Sequence, residues 1–130
     1  MASLDEELSV EVCGVGTVSG RLGRAGPDWC LLHGPAQDWL VRLEAVVAVE
    51  GASARAVPEV AWPPADRIGL SSALRRLADA EALCRLHAVD GSVREGRLAR
   101  VGADFVEVQT GEGRCLLVGR STLAAVQSRP

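Results

Sequence analysis

The sequence contains no lysine, no asparagine and no tyrosine, and all 14 of its basic residues are arginine. Without lysine and tyrosine, the chain has no Schiff-base amine, no phosphate-loop lysine and no phenolic acid. It also lacks a Ser/His/Asp or Cys/His spacing, a carboxylate pair in a glycine-rich setting and a phosphate-binding loop. These absences predict that the protein is not an enzyme and that it uses no cofactor and no small-molecule substrate.

Long hydrophobic runs are also missing. No stretch approaches the roughly 18 apolar residues that a membrane-spanning helix needs. The first seven residues include three acidic ones, Asp5, Glu6 and Glu7, whereas a secretory signal starts with positive charge. We therefore expect a cytoplasmic protein that makes no membrane contact.

The cysteines and histidines are few and scattered. The four cysteines are Cys13, Cys30, Cys84 and Cys115, and no two of them have the spacing of a zinc motif. Each lies in an apolar stretch, which predicts buried structural thiols. His33 and His87 are isolated. We therefore expect no metal site and no catalytic histidine.

The charge is distributed unevenly along the chain. Residues 1–56 hold four arginines against eight acidic residues, whereas residues 67–130 hold ten arginines against seven. The second half is therefore basic although the whole chain has a net charge of −3. Two interpretations remain open: arginines on solvated strand faces, or an anionic partner for the second half.

An internal repeat is the most informative feature of the sequence. The segment 20–29, GRLGRAGPDW, recurs at 96–105 as GRLARVGADF, with six of ten positions identical and an aromatic residue at the end of both. After one inserted residue the match continues from 40–41 to 117–118 and from 45–49 to 122–126. Such a repeat indicates a duplicated supersecondary unit.

Short apolar runs separated by turn residues predict five strands in each copy. The second copy has them at 83–88, 93–101, 104–109, 114–118 and 123–127, and the first at 9–15, 17–25, 28–33, 38–42 and 45–50. Asp90-Gly91 indicates a hairpin turn. Gly96 and its counterpart Gly20 indicate a bend within the second strand of each copy. Segments 119–122 and 42–44 have the length of a single 3₁₀ turn.

The region between the copies has a different pattern. Residues 57–64 contain three prolines, which remove amide donors and predict a linker. Apolar residues at helical spacing predict an amphipathic helix over 71–82, and Ser3 to Glu6 resembles a capping box for a shorter equivalent. The predicted organisation is a first barrel at 1–56, a linker at 57–69, and a helix with a second barrel at 70–130.

The helix, the five strands, Asp90-Gly91, Gly96-x-Leu98 and the late turn together resemble the Sm-like family of small SH3-like barrels. The resemblance covers residues 70–127 and, more weakly, 3–51. The two-copy arrangement also resembles two-repeat proteins of actinobacteria. The resemblance implies a mainly β fold with two tandem five-stranded barrels joined by a Pro-rich linker and one α-helix. It also implies binding of single-stranded RNA and assembly through edge strands.

The chain departs from the RNA pocket of that family. The family uses an asparagine after the second strand and an Arg-Gly pair before the last, whereas this chain has no asparagine and has Gly119-Arg120. Arg120 is nevertheless close to the family's arginine position. The candidate contacts to a partner or to nucleic acid are Arg94, Arg97, Arg100, Arg114, Arg120, Trp39 and Trp62.

Two functional hypotheses follow. The first is a non-enzymatic interaction or assembly module that binds a protein partner or another copy of itself through open edge strands or an apolar face. The alternative is an RNA- or DNA-associated regulator that binds through the basic second barrel. A continuous arginine face favours the alternative. Arginines paired with Glu95, Glu107 and Glu112 oppose it.

Overall fold

A computed structural model describes residues 7–51, 68–111 and 113–129 of the chain. The strands are β1 (Glu7–Val12), β2 (Gly16–Ala25), β3 (Trp29–His33), β4 (Asp38–Arg42), β5 (Val46–Glu50), β6 (Leu83–Ala88), β7 (Val93–Val101), β8 (Phe105–Gln109), β9 (Cys115–Gly119) and β10 (Leu123–Ser128). Helix α1 spans Leu70–Asp79, and 3₁₀ turns at Leu43–Ala45 and Arg120–Thr122 precede β5 and β10. The predicted class, mainly β with one helix, is confirmed for these residues.

All ten strands lie in one antiparallel sheet, in the order β5-β1-β2-β3-β4-β10-β6-β7-β8-β9. In each copy the fifth strand lies beside the first, and the first four strands follow in the order of the sequence. The duplication in the sequence is therefore reproduced in the topology. Two closed barrels, as predicted, are not confirmed. The sheet runs on from one copy to the next because β4 of the first copy pairs with β10 of the second, and its end strands β5 and β9 do not pair with each other.

The predicted β6–β7 hairpin is present, with Gly91 at φ +91° in its turn. The Asp90 carboxylate accepts hydrogen bonds from the Ser92 amide at 2.9 Å and the Ser92 hydroxyl at 2.7 Å. These bonds lower the pKa of Asp90. The first hairpin turns earlier than predicted: β1 ends at Val12 instead of residue 15, and Gly14, two residues further on, lies in the turn at φ +78°.

Gly96 has a steric reason to be glycine. A Cβ at this position would lie 2.5 Å from the Gln109 carbonyl oxygen and 2.8 Å from Cγ1 of Val108. A Cβ at its counterpart Gly20 would lie 3.0 Å from the His33 carbonyl oxygen. Both glycines therefore allow the long second strand of each copy to pass close to the third.

The buried residues form two hydrophobic clusters that do not respect the boundary between the copies. The first cluster consists mainly of residues from the first copy but includes Ala124 and Ala125 of β10. The second consists mainly of residues from the second copy but includes Trp29 and Leu40. Each copy therefore completes the core of the other. The predicted division of the chain into separate units stays a prediction.

Helix α1 covers the second cluster with Leu70, Ala73 and Leu74. It begins one residue before the predicted start and ends at Asp79, before the residue Glu81 with φ +54°. No helix among the described residues is long and apolar enough to span a bilayer. The predicted capping box at residues 3–6, the linker at 57–64 and Trp62 lie outside the described part of the chain.

Candidate interaction surface

The pairing of β4 with β10, here called the seam, joins the two copies. Its antiparallel register places Val41 opposite Ala125, Leu40 opposite Val126, Trp39 opposite Gln127, and Asp38 opposite Ser128. Since β10 also pairs with β6 on its other side, it is an interior strand, and its backbone groups are hydrogen-bonded on both sides. The seam is therefore part of the core of the molecule.

Side chains from both copies pack across the seam. Leu40 is only 5 % exposed because it lies in the second cluster. The Trp39 ring lies 5.1 Å from the ring of His87 on β6, between centroids, at an interplanar angle of 40°. The Gln127 side chain, on the strand between them, is hydrogen-bonded to Nε2 of His87 at 3.0 Å. This packing makes Trp39, one of the predicted candidate contacts, half-buried within the seam.

Two arginines reinforce the seam at its turn end. Arg42 donates from Nε to the Leu123 carbonyl at 2.7 Å and from Nη2 to the Ser121 carbonyl at 2.9 Å. Arg120 donates from Nη2 to the Asp28 carboxylate at 3.0 Å. Asp28 accepts a further bond, at 2.9 Å, from the Leu70 amide at the start of α1. One carboxylate of the first copy thus holds both the second 3₁₀ turn and the helix.

A cleft of about 290 Å³ lies beside these arginines. Its lining is mixed in charge and consists of Asp28, Arg42, Glu44, Ala103, Asp104, Arg120 and Ser121. Arg42 pairs with Glu44 at 3.3 Å, and Arg120 pairs with Asp28. The three carboxylates in the lining disfavour a bound polyanion.

The two end strands of the sheet, β5 and β9, are here called the open edges. Each leaves one side of its backbone without a neighbouring strand in the described structure. Both carry a large exposed apolar side chain: Val47 on β5 is 61 % exposed and Leu117 on β9 is 63 % exposed. Long apolar edges of this kind are what soluble proteins usually protect.

Comparison between the copies shows why these residues are exposed. Val47 occupies the position of Ala124, which is completely buried, and Leu117 occupies the position of Leu40. The buried counterparts lie at the seam and the exposed ones at the open edges. The exposure therefore results from the absence of a neighbouring copy, because the local sequence is similar at both places.

The predicted arginines of β7, Arg94, Arg97 and Arg100, are exposed, and one acidic residue, Glu95, lies among them. Arg100 pairs with Glu107 at 3.6 Å and lies over the Phe105 ring at 5.5 Å. Arg97 donates to the Glu81 carbonyl at 3.1 Å. On the neighbouring strand β6, Arg85 pairs with Glu95 at 3.4 Å.

The remaining predicted contacts are dispersed. Arg94 is exposed at the start of β7, near Asp90, and Arg114 is exposed in the loop before β9. Arg120 lies at the seam, where it pairs with Asp28 of the first copy. The structure therefore does not bring the predicted arginines together into one continuous basic face.

Sequence reasoning did not identify the role of Asp28, Arg42, Val47 and Leu117. The repeat alignment contained a signal for Val47 and Leu117, because it pairs each of them with an apolar residue in the other copy. It contained no signal for Arg42, whose counterpart is Gly119. Only the tertiary structure shows which strand pairs with β4 at the seam.

Two of the four cysteines are buried as predicted, and for the other two the prediction is wrong. Cys30 and Cys84 lie in the cores, whereas Cys13 and Cys115 are exposed. Cys13 follows the end of β1 in the first turn, and Cys115 begins an edge strand. Burial raises the pKa of the Cys30 thiol to about 12 and that of Cys84 to about 11.

Thiol labelling with a maleimide reagent is expected to modify Cys13 and Cys115 rapidly in the native protein. Cys30 and Cys84 should react only after addition of denaturant, because they are buried and their thiolate forms are suppressed. Peptide mass mapping of the labelled protein, with a fully denatured sample as the control, identifies the modified residues. Rapid labelling of Cys30 in the native state would contradict the described packing of the first cluster.

In the residues that the structure describes, the protein is mainly β, with ten antiparallel strands in one open sheet and a single helix. Its described residues contain no cluster of three or more histidine, cysteine or acidic side chains that could hold a metal ion. No protein-family model matches the chain, and no curated protein matches it.

Proposed function

We propose that this protein is a non-enzymatic interaction module, built from two copies of a small Sm-like, SH3-like barrel unit, that binds its partner by adding a β-strand at an open edge. The observation that carries this proposal is the exposure of Val47 and Leu117 on the two end strands, at positions that are buried at the seam. Strand addition satisfies the free backbone groups of an edge and covers its apolar side chains at the same time.

The electrostatic pattern supports protein binding over binding of nucleic acid. Glu95 lies between Arg94 and Arg97 on β7, and Arg100 and Arg85 pair with Glu107 and Glu95. Exposed pairs of this kind contribute little to stability, but they reduce the positive potential of the face. RNA or DNA binding through Arg94, Arg97 and Arg100 remains the competing hypothesis.

Affinity capture with matched variants tests the proposal. Baits carrying Val47→Asp or Leu117→Arg alter an open edge. Val93→Asp and Leu83→Arg introduce the same charges at exposed apolar residues on β7 and β6, which are interior strands. Each bait is used with and without nuclease on extracts of cells that produce the protein.

If the proposal is correct, the bait captures proteins that remain bound after nuclease treatment. These proteins are lost with at least one edge variant and retained with both control variants. Circular dichroism of each bait verifies that it is folded. Captured material that disappears on nuclease treatment, is insensitive to the edge variants and is lost with Arg94→Ala or Arg100→Ala would overturn the proposal in favour of nucleic-acid binding.

A further inference from the structure

A groove lies between helix α1 and the sheet, where Asp38 of β4 is paired with Ser128 of β10, and is here called the helix groove. Its volume is about 140 Å³. Its apolar lining comes from the first copy and from α1, and consists of Trp29, Leu31, Leu40, Ala73 and Leu77. A lining of this kind favours an apolar occupant, because the contact removes apolar surface from water.

The volume of the helix groove limits the size of that occupant. An apolar cavity of about 150 Å³ is large enough to bind one benzene molecule, so the helix groove matches a single six-membered ring. One side of the groove is open to solvent. A polar group attached to the ring can therefore stay at the mouth of the groove while the ring is covered.

One hydroxyl in the lining is buried without a partner. Ser128 is 8 % exposed, and its side chain makes no hydrogen bond in the part of the chain that the structure describes. Val126, two positions earlier on β10, lies in the second cluster, and alternate residues of a strand face the same side. The Ser128 side chain is therefore on the face that α1 covers. A buried hydroxyl without a hydrogen bond is unfavourable, so a polar atom of a ligand is favoured beside it.

The charges of the lining favour an anion. Its charged side chains are Arg24, Arg76 and Asp38, which are two cations and one carboxylate. Asp38 is hydrogen-bonded to Nδ1 of His33 at 2.9 Å, and Arg24 lies over the Trp29 ring at 5.8 Å. Arg76 is exposed, and its side chain has no hydrogen bond or ion pair within the described residues. It is therefore the cation that is available to a ligand.

We propose that the helix groove binds a small monocarboxylate with one apolar ring, of the arylacetate type. The ring lies against Leu31, Leu40 and Leu77, and the carboxylate is attracted by Arg76 and accepts a hydrogen bond from the Ser128 hydroxyl. The site goes beyond the proposed function, because it lies under α1 and includes no described residue of β5 or β9. No sequence motif indicates it, since its lining comes from five elements that are distant in the chain.

Titration with three probes that share one ring tests the proposal. Phenylacetate carries a carboxylate, phenylacetamide is its uncharged analogue, and 2-phenylethylamine is a cation of similar size. Two-dimensional NMR of the ¹⁵N-labelled protein follows the backbone amides. Phenylacetate is expected to cause saturable shifts at the groove residues Leu31, Leu40, Ala73 and Ser128. Phenylacetamide should bind about two- to fivefold more weakly, because it keeps the ring and loses the ion pair, and 2-phenylethylamine should bind most weakly.

Two variants separate the roles of the arginine and the hydroxyl. Arg76→Gln is expected to weaken phenylacetate binding about two- to fivefold and to leave phenylacetamide binding unchanged, since only the charged probe pairs with the arginine. The matched control is Arg75→Gln, because Arg75 is exposed in the same turn of α1 and does not line the groove. Ser128→Ala should weaken phenylacetate binding about two- to tenfold without loss of stability, because the hydroxyl that it removes has no partner among the described residues.

Four results would overturn the proposal. They are the absence of saturable shifts with phenylacetate, shifts that lie outside the helix groove, equal binding of all three probes, and equal effects of Arg76→Gln and Arg75→Gln. If a peptide from a captured protein shifts the groove amides and phenylacetate does not, the occupant is a side chain of a protein partner instead. Val47→Asp should bind phenylacetate like the unaltered protein, so failure of this site and failure of capture at the open edges are separate results.

Discussion

Ala125→Asp is expected to lower the free energy of unfolding by about 3–5 kcal/mol, since it places an unpaired carboxylate inside a core. Ala125 is 1 % exposed and lies in the first cluster, where the seam brings it opposite Val41. A loss of this size is a large part of the total stability of an ordinary domain, which is about 5–15 kcal/mol.

The matched control is the same substitution at Ala48, the counterpart of Ala125 in the first copy. Ala48 is exposed on the edge strand β5, so Ala48→Asp is expected to change stability by less than about 0.5 kcal/mol in the monomer. Urea unfolding followed by circular dichroism, at concentrations where both variants are monomeric, gives the two free energies. Equal stability of the two variants would show that β10 is not an interior strand and that the seam does not form.

Trp29→Ala is expected to have the second large effect, a loss of about 3–5 kcal/mol. Trp29 is 2 % exposed and lies in the second cluster, although it belongs to the first copy. Its Nε1 donates to the Ile68 carbonyl at 2.6 Å, just before helix α1. The substitution therefore removes buried area, leaves a cavity under the helix and breaks a bond between the first copy and the segment that leads into α1.

Phe105→Ala is the control for Trp29→Ala, because Phe105 occupies the same place in the repeat. Phe105 is only half-buried and contacts Arg100, so its loss should cost about 1–2 kcal/mol. Trp29→Phe should fall between the two alanine variants, since it keeps most of the apolar area but loses the hydrogen bond. The unfolding free energies of these variants test whether Trp29 joins the copies. A Trp29→Ala cost no greater than that of Phe105→Ala would contradict that role.

The strands and turns were predictable because they depend on local properties. Alternation of apolar and polar residues requires only that one face is buried, and β6 and β7 have the predicted bounds. The β6–β7 turn was equally readable, since glycine adopts positive φ without steric cost. The end of β1 was predicted three residues too late because Gly14 and Gly16 both mark the turn, and the sequence pattern does not rank them.

The candidate site was only partly predictable. The arginines of β7 were identified as possible contacts, but the Arg100–Glu107 pair depends on a neighbouring strand, and the bond from Arg97 to the Glu81 backbone carbonyl depends on the segment after α1. Arg120 was selected for its place before the last strand. Its carboxylate partner, Asp28, is 92 positions away in the chain, and no local pattern connects them.

By itself, the sequence determined the mainly β class, the duplication, the positions of the strands and turns, and the identity of the apolar faces. Only the tertiary structure decided that β4 pairs with β10, that each copy completes the core of the other, and that β5 and β9 are left open. The physical reason lies in the directions of the interactions. Side chains point out of the sheet and encode its faces, whereas the backbone groups that join strands lie in the plane of the sheet and are nearly the same for every residue.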